Sequence, residues 1–147
     1  MNLSKIESGL LKLKSLKNLK LTYNKFPRLN NIYFSDPIEY LDLSDNVIKS
    51  SENVSFPKHL VTLKLAFNRL RVFRDLIGCD RLVELNLRNN SISKINDVSK
   101  SKKSERLELL LNSLKNIENL NALPNLKELY LVVSQFTAFK NLKGYRI

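Results

Sequence analysis

Apolar residues along this chain keep two spacings in turn. In LVELNLRNNSISKI, residues 82–95, Leu82, Leu85 and Leu87 stand three and then two apart, Asn90 follows, and Ile92 and Ile95 are three apart again. A spacing of two puts alternate side chains on opposite faces of a short strand. A spacing of three suits a tight helical or extended segment with one face inward. The pattern therefore predicts a strand that ends at an asparagine, a turn, and a return.

The segment is one of six. Asparagines recur at Asn24, Asn46, Asn68, Asn90 and Asn112, each 22 residues after the last, and Ser134 holds the next equivalent place. Leu16, Leu19 and Leu21 precede the first marker; Ile38, Leu41 and Leu43 the second; Leu60, Leu63 and Leu65 the third. Leu107 and Leu109 precede the fifth, with Ser104 in place of its first leucine, and Leu126, Leu129 and Leu131 precede the sixth position. The unit is LxxLxLxxNxL. One such unit cannot bury its leucines, whereas stacked units bury them against each other at roughly 1.5–3 kcal/mol per large side chain. The asparagine amide carries donors and acceptors, so it can bond adjoining turns and form a ladder from coil to coil. Serine at 134 can do only part of this, and the last coil is expected to be looser.

These units resemble the 22-residue class of leucine-rich repeats, the class of the nuclear regulatory subunit of protein phosphatase 1. Bacterial internalins, an axonemal dynein light chain and the A-prime subunit of a spliceosomal particle carry similar repeats. The resemblance covers roughly residues 10 to 142. It implies an α/β repeat fold: a right-handed leucine-rich-repeat solenoid with a parallel concave sheet of about six strands and short helical or extended convex segments. It also implies a protein that binds another protein on its concave face without catalysis.

The expected organisation is one domain over 1–147, with 1–15 as a partial N-terminal coil, 16–142 as six repeats and 143–147 as a truncated or uncapped end. Such an end would leave an unpaired strand edge and invite self-association. The fourth return segment, within VSKSKKSERL, sets Ser101 and Ser104 where apolar residues belong, among Lys100, Lys102 and Lys103. A solvated convex loop is the simpler reading, and a localisation signal or a phosphorylated hinge the functional one.

Strand alternation predicts which residues face the groove. Three columns run across the coils: Asn18, Tyr40, Thr62, Glu84, Arg106, Glu128; then Lys20, Asp42, Lys64, Asn86, Glu108, Tyr130; then Thr22, Ser44, Ala66, Arg88, Leu110, Val132. Four basic and four acidic residues cancel there, and Lys20, Asp42 and Lys64 are expected to satisfy each other. The formal charge of +11 therefore lies on returns and turns. A nucleic-acid groove should be positive, so a neutral one favours a protein partner at Tyr40, Asp42, Lys64, Phe67, Asn86, Arg88, Glu108, Leu110, Tyr130 and Val132. Leu110 and Val132 are expected outside the core. Phe67, Leu111 and Val133, beside the turn, read equally as packing or as anchors. A ribonucleoprotein component with RNA on its basic convex surface is the alternative. An internalin-like host-interacting protein is a further one, weakened by the lack of an uninterrupted apolar run at the start.

Catalytic chemistry finds little support. His59 is the only histidine and Cys79 the only cysteine, the latter eleven residues after Asn68 as Leu123 is after Asn112, a core position. No Cys/His set has metal-ligand spacing, and Gly9, Gly78 and Gly144 form no phosphate loop. The expectation is a non-enzyme without metal or cofactor. One cysteine and no apolar run long enough to span a bilayer suggest an intracellular protein, in cytoplasm or nucleus, with no membrane partner.

Overall fold

The computed structural model describes residues 13–29, 32, 34–73, 76–95, 102–117, 123–131 and 138–139. Ten short strands form among them: β1 (Asn18–Lys20), β2 (Tyr40–Asp42), β3 (Thr62–Lys64), β4 (Val72–Phe73), β5 (Glu84–Asn86), β6 (Lys94–Ile95), β7 (Arg106–Glu108), β8 (Asn116–Ile117), β9 (Glu128–Tyr130) and β10 (Ala138–Phe139). β1, β2, β3, β5, β7 and β9 make one six-stranded parallel sheet in that order. Its register is constant: Leu19, Leu41, Leu63, Leu85, Leu107 and Leu129 stand side by side. Equal coil length explains this. Each strand starts one full coil after the last, so no residue is left over to shift the pairing.

The entry to each strand repeats the same bond pattern. The carbonyl of Lys17 accepts the N–H groups of both Glu39 and Tyr40 at 2.8 and 3.0 Å, and that of Glu39 accepts Val61 and Thr62 at 2.7 and 3.0 Å. On the return side, β4 pairs with β6 and β8 with β10, again parallel. The α/β expectation narrows accordingly. Among the described residues the returns are short strands and turns, with no helical turn. Spacing of three is met there in two ways: by extended backbone bonded to the neighbouring coil, as the Ser91 N–H is to the Leu70 carbonyl, and by tight turns within a coil, where Cys79 and Leu82 donate to the carbonyls of Leu76 and Cys79.

The core lies between the sheet and the returns. Leu41, Leu43, Ile48, Leu60, Leu63, Leu65 and Leu70 have no exposed surface. Phe34 and Phe56, one coil apart, stack with centroids 6.3 Å apart and planes 10° apart. Cys79 is wholly buried, its thiol 3.9 Å from the carbonyl oxygen of Pro57. Ser104, in the leucine position, is buried all the same and donates a long bond of 3.4 Å to the carbonyl of Leu82. Its neighbours in the coil hold the backbone in place, so the small side chain goes inward regardless. Residues 96–101, the rest of that basic return, lie outside the described residues, as do Ser134 and both ends of the chain. No helix among the described residues is long and apolar enough to cross a membrane.

The asparagines bind coil to coil. The Asn68 amide nitrogen lies 3.0 Å from the carbonyl of Leu43 in the coil before, and 3.1 and 3.2 Å from those of Leu65 and Ala66 in its own. Asn46, Asn90 and Asn112 repeat the arrangement on Leu21, Leu65 and Leu87. Their side-chain oxygens accept the N–H groups of Phe26, Leu70 and Ile92. Asn24 donates to Leu21 and Thr22.

The residue before each of these asparagines has a left-handed backbone. Tyr23, Asp45, Phe67, Asn89 and Leu111 have φ of 56, 56, 54, 52 and 56°. Five unlike side chains share one conformation, so the coil imposes it. Asn and Asp tolerate this region, while other side chains meet a cost of about 1–2 kcal/mol there.

Candidate protein-binding face

The outer face of the six strands displays two neighbouring columns. Short strands with one buried leucine at the centre leave the residues on either side pointing outward. Tyr40 lies on β2, the second strand from one edge. Its ring lies 5.6 Å from the ammonium of Lys20 on one neighbouring strand and 5.6 Å from that of Lys64 on the other. Its hydroxyl donates to Asp42 Oδ2 at 3.3 Å. Partial burial raises the Tyr40 phenol above its ordinary range, helped by the charge of Asp42.

Tyr130 repeats this arrangement towards the last strand. The Arg106 guanidinium lies 4.9 Å from its ring centroid. Glu128 Oε2 accepts the Tyr130 hydroxyl at 2.8 Å and pairs with Arg106 Nη1 at 3.0 Å. The hydrogen bond to Glu128 raises the phenol of Tyr130. Each tyrosine is thus an aromatic plate edged by a carboxylate, with two cations facing Tyr40 and one facing Tyr130.

The lysines correct one expectation. Lys20, Asp42 and Lys64 stand in register but form no ion pair with each other among the described residues; Lys64 pairs with Glu84 at 3.8 Å instead. Asp42 is otherwise engaged. Its Oδ1 accepts the N–H of Ser44 at 3.0 Å, as Asn86 Oδ1 accepts that of Arg88 at 3.0 Å and Glu108 Oε1 that of Leu110 at 3.3 Å. Three side chains expected at the binding face thus also cap the turn that follows each strand. Glu108 is buried in that role, 8% exposed.

The third column is also corrected. Ser44 and Ala66 are buried, and Arg88 and Leu110 are half-buried. The chain has left the strand by these positions and turned under the cap, so strand alternation no longer governs them. Phe67, by contrast, is 44% exposed and Leu111 51%. Both stand past the strand ends. Val132 and Val133 lie outside the described residues.

Sequence reasoning missed Tyr23, the most exposed large apolar side chain of this kind at 76%. The signal was available: it stands one residue before a ladder asparagine, as Phe67 and Leu111 do. His59 is exposed in its turn, with Nδ1 3.2 Å from the Asp36 carbonyl. Burial pushes the Cys79 thiol up to about 11. Among the described residues no group of three or more histidines, cysteines and carboxylates is placed to hold a metal ion.

No protein-family model and no curated protein matches the chain. Solved structures do. An internalin of Listeria monocytogenes is similar with a TM-score of 0.70 and 28% identity, over 81% of this chain and 35% of that one. A leucine-rich-repeat protein of Leptospira interrogans is similar with a TM-score of 0.74 and 24% identity, over 92% of this chain and 36% of that one. The chain spans about a third of the length of either protein. Its parallel-strand solenoid is the leucine-rich-repeat fold.

Proposed function

We propose that this chain is a non-catalytic scaffold that holds a protein partner across its sheet face, with Tyr40 and Tyr130 as the anchors. The observation that carries the reading is the pair of tyrosines, each on an outward strand position and each in contact with a cation. Aromatic anchors in a polar surround are typical of binding hot spots. Six strands at ~4.8 Å give a floor of roughly 25 Å, the width of a helix or a small domain face. The ion pairs Lys64–Glu84 and Arg106–Glu128 balance charge on the floor, which suits a protein more than a polyanion.

An adaptor in the manner of the phosphatase 1 regulatory subunit, built on 22-residue repeats, is the finer form of this proposal. It rests on the repeat frame, and no ligand-specific residue carries over. A lone buried thiol at Cys79 suits the reducing interior of a cell. Likeness to an internalin favours a second reading, a repeat scaffold that works outside the cell that makes it.

Affinity purification with the wild-type protein and with a Tyr40→Ala/Tyr130→Ala variant tests the proposal. A partner held by wild type and lost by the variant, with unchanged circular dichroism, is the expected result. Equal recovery of every partner by both proteins would refute the role given to the two tyrosines. Fractionation of the source cells separates the two settings.

A further inference from the structure

Tyr23, Asp45, Phe67, Asn89 and Leu111 form a file, one per coil, immediately past the strands. All five have the same left-handed backbone. Asp45 and Asn89 are residues that accept it readily; Tyr23, Phe67 and Leu111 are not. The three apolar members are 76%, 44% and 51% exposed and belong to no part of the packed core. They satisfy neither the backbone they sit on nor the interior they border, so local structure gives no reason for them.

Their arrangement does suggest one. They occupy every second coil, with the short polar Asp45 and Asn89 between. Two coils span roughly 10 Å at the spacing of paired strands. The file is therefore a row of three apolar knobs about 10 Å apart. Beside it runs a band of cations. The five residues after each asparagine from Asn24 to Asn112 include no carboxylate, and they carry Lys25, Arg28, Lys49, Arg69, Arg71, Lys94 and Lys115, all exposed. None of these seven joins an ion pair among the described residues.

We propose that this edge is a second docking site, separate from the sheet face, for an acidic amphipathic helix of a partner protein. Seven residues of helix rise about 10.5 Å, so apolar residues at i, i+7 and i+14 meet Tyr23, Phe67 and Leu111 in turn. A helix is about 10 Å wide, which lets acidic residues on its flank reach the cation band. A β-strand of similar reach would turn every third side chain to the opposite face.

The test uses a fluorescent synthetic peptide of about 21 residues, glutamate-rich and helical, with leucine at every seventh position. Its controls are a version with the leucines shuffled, a version with lysine for glutamate, and an acidic proline-rich peptide with leucine at every third position, whose repeat is about 9.3 Å. The heptad peptide is expected to bind the wild-type chain, less well as salt is raised, and better than all three controls. Binding to a Tyr23→Asn/Phe67→Asn/Leu111→Asn variant should weaken at least about tenfold. That variant should melt no lower than wild type, because asparagine suits the left-handed backbone. The Tyr40→Ala/Tyr130→Ala variant should bind the peptide as wild type does, which separates this site from the sheet face. Absence of binding, binding equal to that of any control, or a lower melting temperature for the triple variant would overturn the proposal.

Discussion

The side-chain oxygen of Asn68 accepts the N–H of Ile48, twenty residues earlier in the chain, at 3.0 Å. Its amide nitrogen meanwhile serves the carbonyls of Leu43, Leu65 and Ala66. One buried amide closes bonds in two coils. Asn68→Ala leaves the Ile48 N–H without its partner away from water, while the carbonyls of Leu43, Leu65 and Ala66 keep the Asn46 amide, the Asn90 amide and the Asp45 N–H; the variant should lose about 1–3 kcal/mol in urea unfolding. Asn68→Asp keeps the acceptor but turns a carboxylate towards three carbonyls. It should be the less stable of the two near neutrality and recover on acidification, as its carboxyl regains a proton to donate. An aspartate variant as stable as wild type near neutrality would contradict the assignment of the amide nitrogen.

Leu87 and Leu110 test where the core ends. Leu87 is fully buried, while Leu110, in the next coil, is half-buried under the cap made by Glu108. Leu87→Ala should cost ~2–5 kcal/mol. Leu110→Ala should cost clearly less. Equal losses in denaturant melts would mean that the turn is as deeply packed as the strand.

Burial raises the Cys79 thiol from an ordinary 9.0 to about 11. The folded chain therefore holds this proton more tightly than the unfolded chain. The stability that comes with it is fully present below the unfolded value and is lost as the pH climbs through the folded one. Cys79→Ala lacks this dependence. Urea melts of both proteins at about pH 8 and about pH 11 should show the difference between them shrinking, by about 2 kcal/mol for a shift of this size. A difference that stays constant would show the thiol to be open to water.

Tyr130 is raised first by its hydrogen bond to Glu128, against the opposing charge of Arg106. The two partners therefore predict opposite signs. Glu128→Gln should let the Tyr130 phenol ionise at lower pH, and Arg106→Ala should delay it. Ring resonances followed by NMR through an alkaline titration read both. Shifts of the same sign would contradict the triad.

Much of this architecture was legible in the chain itself. Leu41, Leu63 and Leu85 announce their place because coils of one length bring the same apolar position to the same side every time. Ser104 was legible as an interruption, although not its inward placement, which the leucines around it enforce. The caps were hidden. Alternation says which side of a strand Asp42, Asn86 and Glu108 occupy, and says nothing about a side chain that bends back to bond its own backbone. Tyr23 escaped for a related reason: it stands past the strand, where apolar period carries no information. Asp45 and Asn89, two residues suited to a left-handed turn, marked that position in the coils between.

The unbroken 22-residue step has a consequence for how such a molecule can change. Joining Asn46 directly to Arg69 would excise one whole turn and still give every remaining amide a partner of the right kind. Joining after Asp45 instead would do the same, because the cut is measured by its length and not by its position. The molecule is built in interchangeable segments, so duplication or loss of genetic material in units of 66 bases, three for each of the 22 residues, lengthens or shortens it without reinventing its interior.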